Sequence, residues 1–198
     1  MSENDAVNPK HDAVGATPGV RIRPLRDGEA PPWPLLLSAD PSEKLVRRYL
    51  QRGDCRVADL RGRAEDRTGR SAADETANDR GNDLENDPAD GAVVGVYVLL
   101  ETRPETVELV NVAVHEKMQG RGIGAALVRH AVESARRRGF RTIEVGTGNS
   151  GVGQLYLYQK CGFRIVGVDR DFFVRHYSQP IVENGLLCRD MIRLAQEL

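Results

Sequence analysis

An α/β (α+β) chain with a mixed, mostly antiparallel central sheet flanked by helices is the fold class this sequence predicts, on three observations. Short apolar runs alternate with polar residues and are bounded by turn formers, which is the period of half-buried strands. One longer stretch, from Ile123 onward, carries its apolar residues at helical spacing instead. That stretch lies between two alternating runs, and a strand, helix, strand order makes two strands of the sheet parallel.

Taken in order, VRIRPL at 20–25 alternates as a strand. Pro31, Pro32 and Pro34 rule out one long helix in the next segment and leave one or two short ones. The second of these starts near Pro41, with Leu45, Val46 and Leu50 on one side and Arg and Lys on the other. Strands follow at 54–60 and 92–101, and TVELVNVAV at 106–114 pairs antiparallel with the latter across a short ETRPE turn. Beyond it Ile123, Leu127, Ala131 and Ala135 recur every four residues, and Val128 and Val132 widen the stripe. Arg136, Arg137 and Arg138 then suit the negative end of the helix dipole, and Gly139 stops the helix. The arginine run therefore needs no nucleic acid to explain it. RTIEVGT is another strand, 150–160 a helix capped by Ser150, and FRIVGV a strand, with further strands near 171–175 and 186–194.

Composition narrows the function classes. With 28 basic and 29 acidic residues in 198, the totals suggest neither nucleic-acid affinity nor a polybasic membrane anchor. The start has no apolar stretch of the signal-peptide kind, and no run reaches the roughly 20 apolar residues that span a bilayer, so a cytoplasmic protein is expected. Cys55, Cys161 and Cys188 form no CxxC pair and the four histidines no HExxH, so no metal is expected. Residues 1–19 read as a disordered lead-in. The stretch 61–91 holds nine acidic and five arginine residues, with Leu84 its only large aliphatic side chain. It reads as a disordered acidic loop inserted in a hairpin of one domain spanning 20–198, because loop closure costs grow only logarithmically with length.

The motif that carries chemistry is QGRGIG at 119–124, three glycines opening a helix. First-turn amides lack intrahelical partners and attract anions, and bare backbone would let a phosphate approach them. A tight strand-to-helix turn that needs glycine dihedrals explains the same residues. The GK[ST] ending of a P-loop is missing. Glu144 lies at the spacing of a dinucleotide fold, but an antiparallel sheet precedes the turn and no second such unit follows.

Together with LYQKCGF at 157–163, the run VNVAVHEKMQGRGIG resembles the acyl-CoA-binding core of the GCN5-related N-acetyltransferase (GNAT) superfamily over about 20–175. Gln119, Gly122 and Gly124 match its phosphate loop, and Leu157, Tyr158, Gly162 and Phe163 its later Leu-Tyr-x-x-x-Gly-Phe segment. The resemblance implies an acyl-CoA N-acyltransferase fold and transfer of an acetyl group from acetyl-CoA to a primary amine by direct attack in a ternary complex, with no metal. It implies that the amides of Gly120, Arg121, Gly122, Ile123, Gly124 and Ala125 hold the pyrophosphate, with the Arg121 side chain a second contact. Val112, Ala113 and Val114 would line the pantetheine arm, Glu108 would be the general base and Tyr158 the general acid. Alternation places Glu108, Val110, Val112 and Val114 on one face. Where the family often carries an asparagine seven residues before the tyrosine, this chain has Gly151; Asn149 is the nearby substitute.

Acceptors are expected between 33–48 and the C-terminal segment containing Phe172, Phe173, His176, Tyr177, Glu183 and Asn184. A small amine or a peptide or protein amino group fits, and part of that segment could instead form a homodimer contact. A non-catalytic acyl-CoA-binding module and, less well supported, a dinucleotide-binding enzyme are the competing functions.

Overall fold

The computed structural model describes residues 19–61, 88–89 and 91–198, so the predicted lead-in and nearly all of the predicted insertion lie outside it. The chain runs β1 (Val20–Pro24), α1 (Trp33–Ala39), α2 (Glu43–Leu50), β2 (Asp54–Leu60), β3 (Val93–Arg103) and β4 (Thr106–Val114). It continues through a 3-10 turn at Glu116–Met118 to α3 (Ile123–Arg137), β5 (Thr142–Gly148), α4 (Val152–Lys160) and β6 (Arg164–Asp169). The last elements are α5 (Phe172–His176), a two-residue hairpin β7 (Val182–Glu183) and β8 (Leu186–Leu187), and β9 (Met191–Glu197). Seven strands form one sheet in the order β1-β2-β3-β4-β5-β9-β6. Among the described strands of this sheet only β4 and β5, joined through α3, are parallel. This is the mixed, mostly antiparallel sheet that the pattern of alternating runs predicts.

Helices cover the sheet on two faces because the strands offer apolar side chains to both. On one face the α3 stripe of Leu127, Val128, Ala131 and Ala135 packs with Tyr97, Leu99, Leu109 and Ile143. On the other, Leu36 of α1 and Val46 and Tyr49 of α2 pack with Val57, Val96 and Val98. Each fully buried side chain of Leu or Val size stabilises the fold by about 1.5–3 kcal/mol. Strand β3 feeds both layers, and its hydrophobic residues from Val94 to Leu99 are all buried.

Two local expectations are corrected. Residues 172–176 form helix α5, not a strand: the Arg175 amide donates to the Asp171 carbonyl, and Phe172 stacks near His176 and Phe173 near Tyr177, with centroids 4.6 and 5.5 Å apart. Side chains four apart meet on a helix and point along a common row, so the aromatic residues select the helical period. Ser150 does not cap α4, which has Gly151 at its N-cap. The Ser150 hydroxyl lies 3.3 Å from a Glu183 carboxylate oxygen instead.

The free edge of β1 is fastened by a buried arginine. Arg23 donates to both Asp59 oxygens on β2 and to both Glu29 oxygens in the loop before α1. Glu29 also accepts from the Arg26 amide at 2.8 Å. The Arg23 guanidinium first, and the Arg26 amide second, hold the Glu29 carboxyl down at about 2 from an ordinary 4.5. A depressed carboxyl stabilises the fold above its unfolded pKa and loses that contribution as pH falls through the folded one. Glu29→Gln therefore lowers the melting temperature at neutral pH, and its deficit against wild type shrinks between about pH 4.5 and about pH 2 in thermal melts. A deficit that stays constant across that window contradicts the assignment.

Candidate active site

Strand β4 changes character at Val110. Val98 of β3 faces Asn111 and Leu99 faces Leu109, so Val110 has no residue opposite it and forms a bulge. Pairing with β5 covers only Thr106 to Leu109. Past that point β4 keeps β3 on one side and has no ladder partner among the described residues on the other, while β5 continues beside β9. The two parallel strands part, and a cleft of about 500 Å3 opens between them. That volume lies in the range of small-molecule sites.

The bulge also reverses the faces. Val107 and Leu109 belong to the α3 layer, Val110 to the α1 layer, and Val112 and Val114 again to the α3 layer. The expected shared face of Glu108, Val110, Val112 and Val114 is therefore corrected: one extra residue puts Val112 and Val114 opposite the first two. Val112, Ala113 and Val114 all line the cleft, as does Gln119, whose amide nitrogen donates to the Val114 carbonyl at 3.2 Å.

Beyond Gln119 the chain turns into α3. Gly120 and Gly122 have φ of 74° and 83°, the left-handed region that disfavours residues with a Cβ. Apart from the adjoining residues, no described heavy atom lies within 4 Å of where a Cβ would stand on either, so the space beside this turn is open among the described residues. Gly124 is different: its Cβ would meet Leu157 at 3.5 Å and Val114 at 3.8 Å, which makes it a packing point between α3, α4 and β4. Gly122 caps the helix with no side-chain bond, and the first-turn amides of Ile123, Gly124 and Ala125 point out of the helix end with the positive end of its dipole. Arg121 is exposed at the same turn. The turn explanation applies to Gly120 and Gly122 through their dihedrals and to Gly124 through its packing.

Tyr158 reaches the cleft from α4 and is 5% exposed, packed edge-on to Phe163 with centroids 6.0 Å apart. Burial pushes its phenol up, so the hydroxyl keeps its proton at neutral pH. Tyr156, two residues earlier, is 65% exposed and faces away. Cys161 packs at the margin of the α3 layer, and burial raises its thiol too, which disfavours the nucleophilic thiolate.

Two predicted residues sit elsewhere. Glu108 precedes the bulge, outside the cleft lining, and its carboxylate lies 3.3 Å from Arg193 of β9. Burial raises its carboxyl; Arg193 opposes the rise and Glu144, its partner on β5, adds to it. Asn149 does not face the cleft: its oxygen accepts from the Arg189 and Asp190 amides and its nitrogen donates to the Leu187 carbonyl, which ties the end of β5 to the loop before β9. An asparagine at a strand end satisfies turn amides readily, and here that use consumes both ends of the side chain.

Sequence reasoning missed Asn111 and Asp40. Asn111 is 4% exposed and bridges β4 to both covering helices, donating to the Leu36 carbonyl at 3.0 Å and to the Tyr49 hydroxyl at 2.8 Å. Its Oδ1 is buried without a partner among the described residues. The one amide side chain in β4, set among valines, was the available signal. Asp40 ends α1, accepts from the Ser42 amide at 3.0 Å and the Tyr177 hydroxyl at 3.2 Å, and lines the cleft. Among the described residues no group of three or more His, Cys, Asp or Glu side chains is placed to hold a metal, and no helix is long and apolar enough to cross a membrane.

Residues 51–163 match the model of the acetyltransferase (GNAT) family. The uncharacterized N-acetyltransferase YvbK of Bacillus subtilis (strain 168) is 49% identical over 84% of this chain and 88% of its own length. An IAA acetyltransferase from Bacillus cereus ATCC 14579 superposes with a TM-score of 0.72 at 50% identity, over 90% of this chain and 99% of that one. A GNAT family acetyltransferase from Elizabethkingia anophelis, solved with acetyl-CoA bound, superposes with a TM-score of 0.75 at 36% identity, over 91% and 99%. The parted strands, the glycine turn and the buried tyrosine thus stand in a chain that belongs to the GNAT family of acetyltransferases.

Proposed function

We propose that this protein moves the acetyl group of acetyl-CoA onto a primary amine while both substrates are bound. The observation that carries the reading is the cleft that runs from Gln119, next to the open glycine turn, along the unpaired edge of β4 and that buried Tyr158 also lines. The relative solved with acetyl-CoA bound supports the choice of donor.

In this reading the amides of residues 120–125 hold the pyrophosphate, where helix dipole and bare backbone favour an anion. Arg121 adds a charge at the same turn. The backbone of Val112, Ala113 and Val114, which has no ladder partner on the β5 side, bonds to the amide-bearing pantetheine arm as a strand would. An amide of that edge polarises the thioester carbonyl, and its fixed dipole needs no reorganisation as negative charge develops. The amine nitrogen attacks the carbonyl carbon, the new C–N bond forms and the C–S bond breaks. The departing thiolate takes its proton from Tyr158, which burial keeps protonated. The proton lost by the amine goes to Glu108 through water, since that carboxylate shares the α1 face with the cleft-lining Val110 but stands outside the lining itself. Asn149 has no part, because its amide is committed to the loop before β9. A non-catalytic binding module would keep the glycine turn but has no use for a buried protonated phenol in the cleft lining.

Isothermal titration calorimetry with acetyl-CoA, followed by thiol release across an amine panel, tests the reading. Binding without thiol release for any amine would favour the binding module. Tyr158→Phe is expected to lower kcat by about a hundredfold or more at an unchanged acetyl-CoA affinity, since general acid catalysis contributes that much. Unchanged turnover removes the acid role. The raised Glu108 carboxyl places the acid limb of the kcat profile above the ordinary carboxylate range, because the base works only when deprotonated and activity rises with pH through its pKa. Glu108→Gln is expected to flatten that limb and to lower kcat; a limb and turnover left intact would place the base elsewhere.

A further inference from the structure

Beside the cleft lies a second cavity of about 520 Å3, and the acetyl-transfer reading uses one residue of its wall, Glu108. Five charged side chains line it: Arg103 of β3, Glu108 of β4, Glu144 of β5, Arg193 of β9 and Asp169 of β6. These five strands are neighbours in that order, so the charges form a row across the sheet. Leu109, Ile143, Val145 and Leu194 belong to the α3 layer, and strand alternation turns Glu108, Glu144 and Arg193 to the opposite face. The row adjoins the cleft. Gly146 of β5 and Met191 of β9 line the cleft, each two residues from Glu144 or Arg193 and on the same face.

One pairing within the row is unfavourable by itself. Glu108 and Glu144 stand directly opposite each other in the ladder between β4 and β5, where like charges repel. An arginine answers each of them. Arg103 donates to Glu144, and Arg193 donates to a Glu108 oxygen at 3.3 Å. Arg193 is itself held from two further elements: its other terminal nitrogen lies 3.6 Å from Asp169, and its guanidinium lies over the Phe172 ring of α5, 5.6 Å from the centroid. It therefore presents Glu108 with a charge of fixed position. Burial pushes the Glu108 carboxyl up; among the charges that face it Arg193 counters this most, Glu144 adds to it and Arg103 counters it less, while Asp169 acts through Arg193.

We propose that Arg193 is a positioning residue for acetyl transfer: from β9 it keeps the Glu108 carboxylate ionised and in place against the repulsion of Glu144, so that Glu108 can take the amine proton. A general base works only when deprotonated and held where the proton is lost. Burial and Glu144 both favour the protonated form, and Arg193 offsets them. The proposal rests on the reading of Glu108 as base, but the hold of Arg193 on Glu108 does not, and the two are measured separately.

Glutamate isotope-labelled at the side-chain carboxyl carbon reports the Glu108 titration by nuclear magnetic resonance, with Glu108→Gln identifying its signal. Thiol release from acetyl-CoA across the amine panel gives the profile of kcat against pH. Arg193→Gln removes the charge that favours the carboxylate, so it is expected to move the Glu108 midpoint and the acid limb of kcat up by about one pH unit or more. Arg193→Lys keeps the charge and is expected to leave both near wild type. Glu144→Gln removes the repelling charge and is expected to move both down. The KM for acetyl-CoA is expected to stay unchanged in all three, since neither position lines the cleft. A substitution that only loosens the sheet lowers the plateau of kcat and does not move the midpoint in opposite directions at two neighbouring residues. Arg193→Met, which keeps an apolar stem against Phe172, replaces the glutamine variant if that one does not fold. A Glu108 midpoint that fails to rise once the Arg193 charge is removed overturns the proposal. A midpoint that rises while the acid limb stays places the base elsewhere and removes Arg193 from the reaction. If no amine releases thiol, a midpoint that moves as expected leaves the hold of Arg193 on Glu108 standing while acetyl transfer fails.

Discussion

Strand β4 can pair with β5 for four residues and no more, and the site depends on that limit. The bulge at Val110 adds one residue to β4 without adding one to β3, which bends the strand and turns its later side chains over. Because β5 stays with β9 along its whole length, β4 leaves it and exposes a row of main-chain groups to a cleft instead of to a neighbour. Unpaired strand edges are normally a liability, and here the edge is sheltered inside the molecule by helices on both faces. Asn111, immediately after the bulge, is turned toward α1 and α2 by the same inserted residue and bonds to both.

Around that opening the polar groups are sorted by charge. The glycine turn at the start of α3 offers amides and the positive end of a fifteen-residue helix. The cleft beside it is lined by the carboxylates of Asp40 and Glu183. Burial raises both the Tyr158 phenol and the Glu108 carboxyl, which keeps the phenol protonated at neutral pH.

Much of the fold was legible because its elements repeat a simple period. The α3 stripe from Ile123 to Ala135 and the Gly139 stop are local patterns, and the structure keeps them. The misread segments are short or bounded by competing signals. Five residues at 172–176 fit either period until Phe172 and His176, and Phe173 and Tyr177, are seen to stack. Ser150 has the chemistry of a cap, but Glu183, 33 residues later in the chain, engages its hydroxyl.

By itself the sequence determined the sheet and helix order, the glycine turn before α3 and the paired segment containing Tyr158, since each is written in neighbouring residues. Only the tertiary structure decided which polar side chains face the cleft. Glu108 and Val112 share an alternating strand, yet the register between β3 and β4 separates their faces, and register is a property of two strands. Asp40, Asn111 and Tyr177 lie far apart along the chain, and the Leu36 carbonyl and the Asp40 carboxylate bring them together. Contacts of that range leave no local period to read, because they are selected by how α1, β4 and α5 pack and not by what stands next to them in the chain.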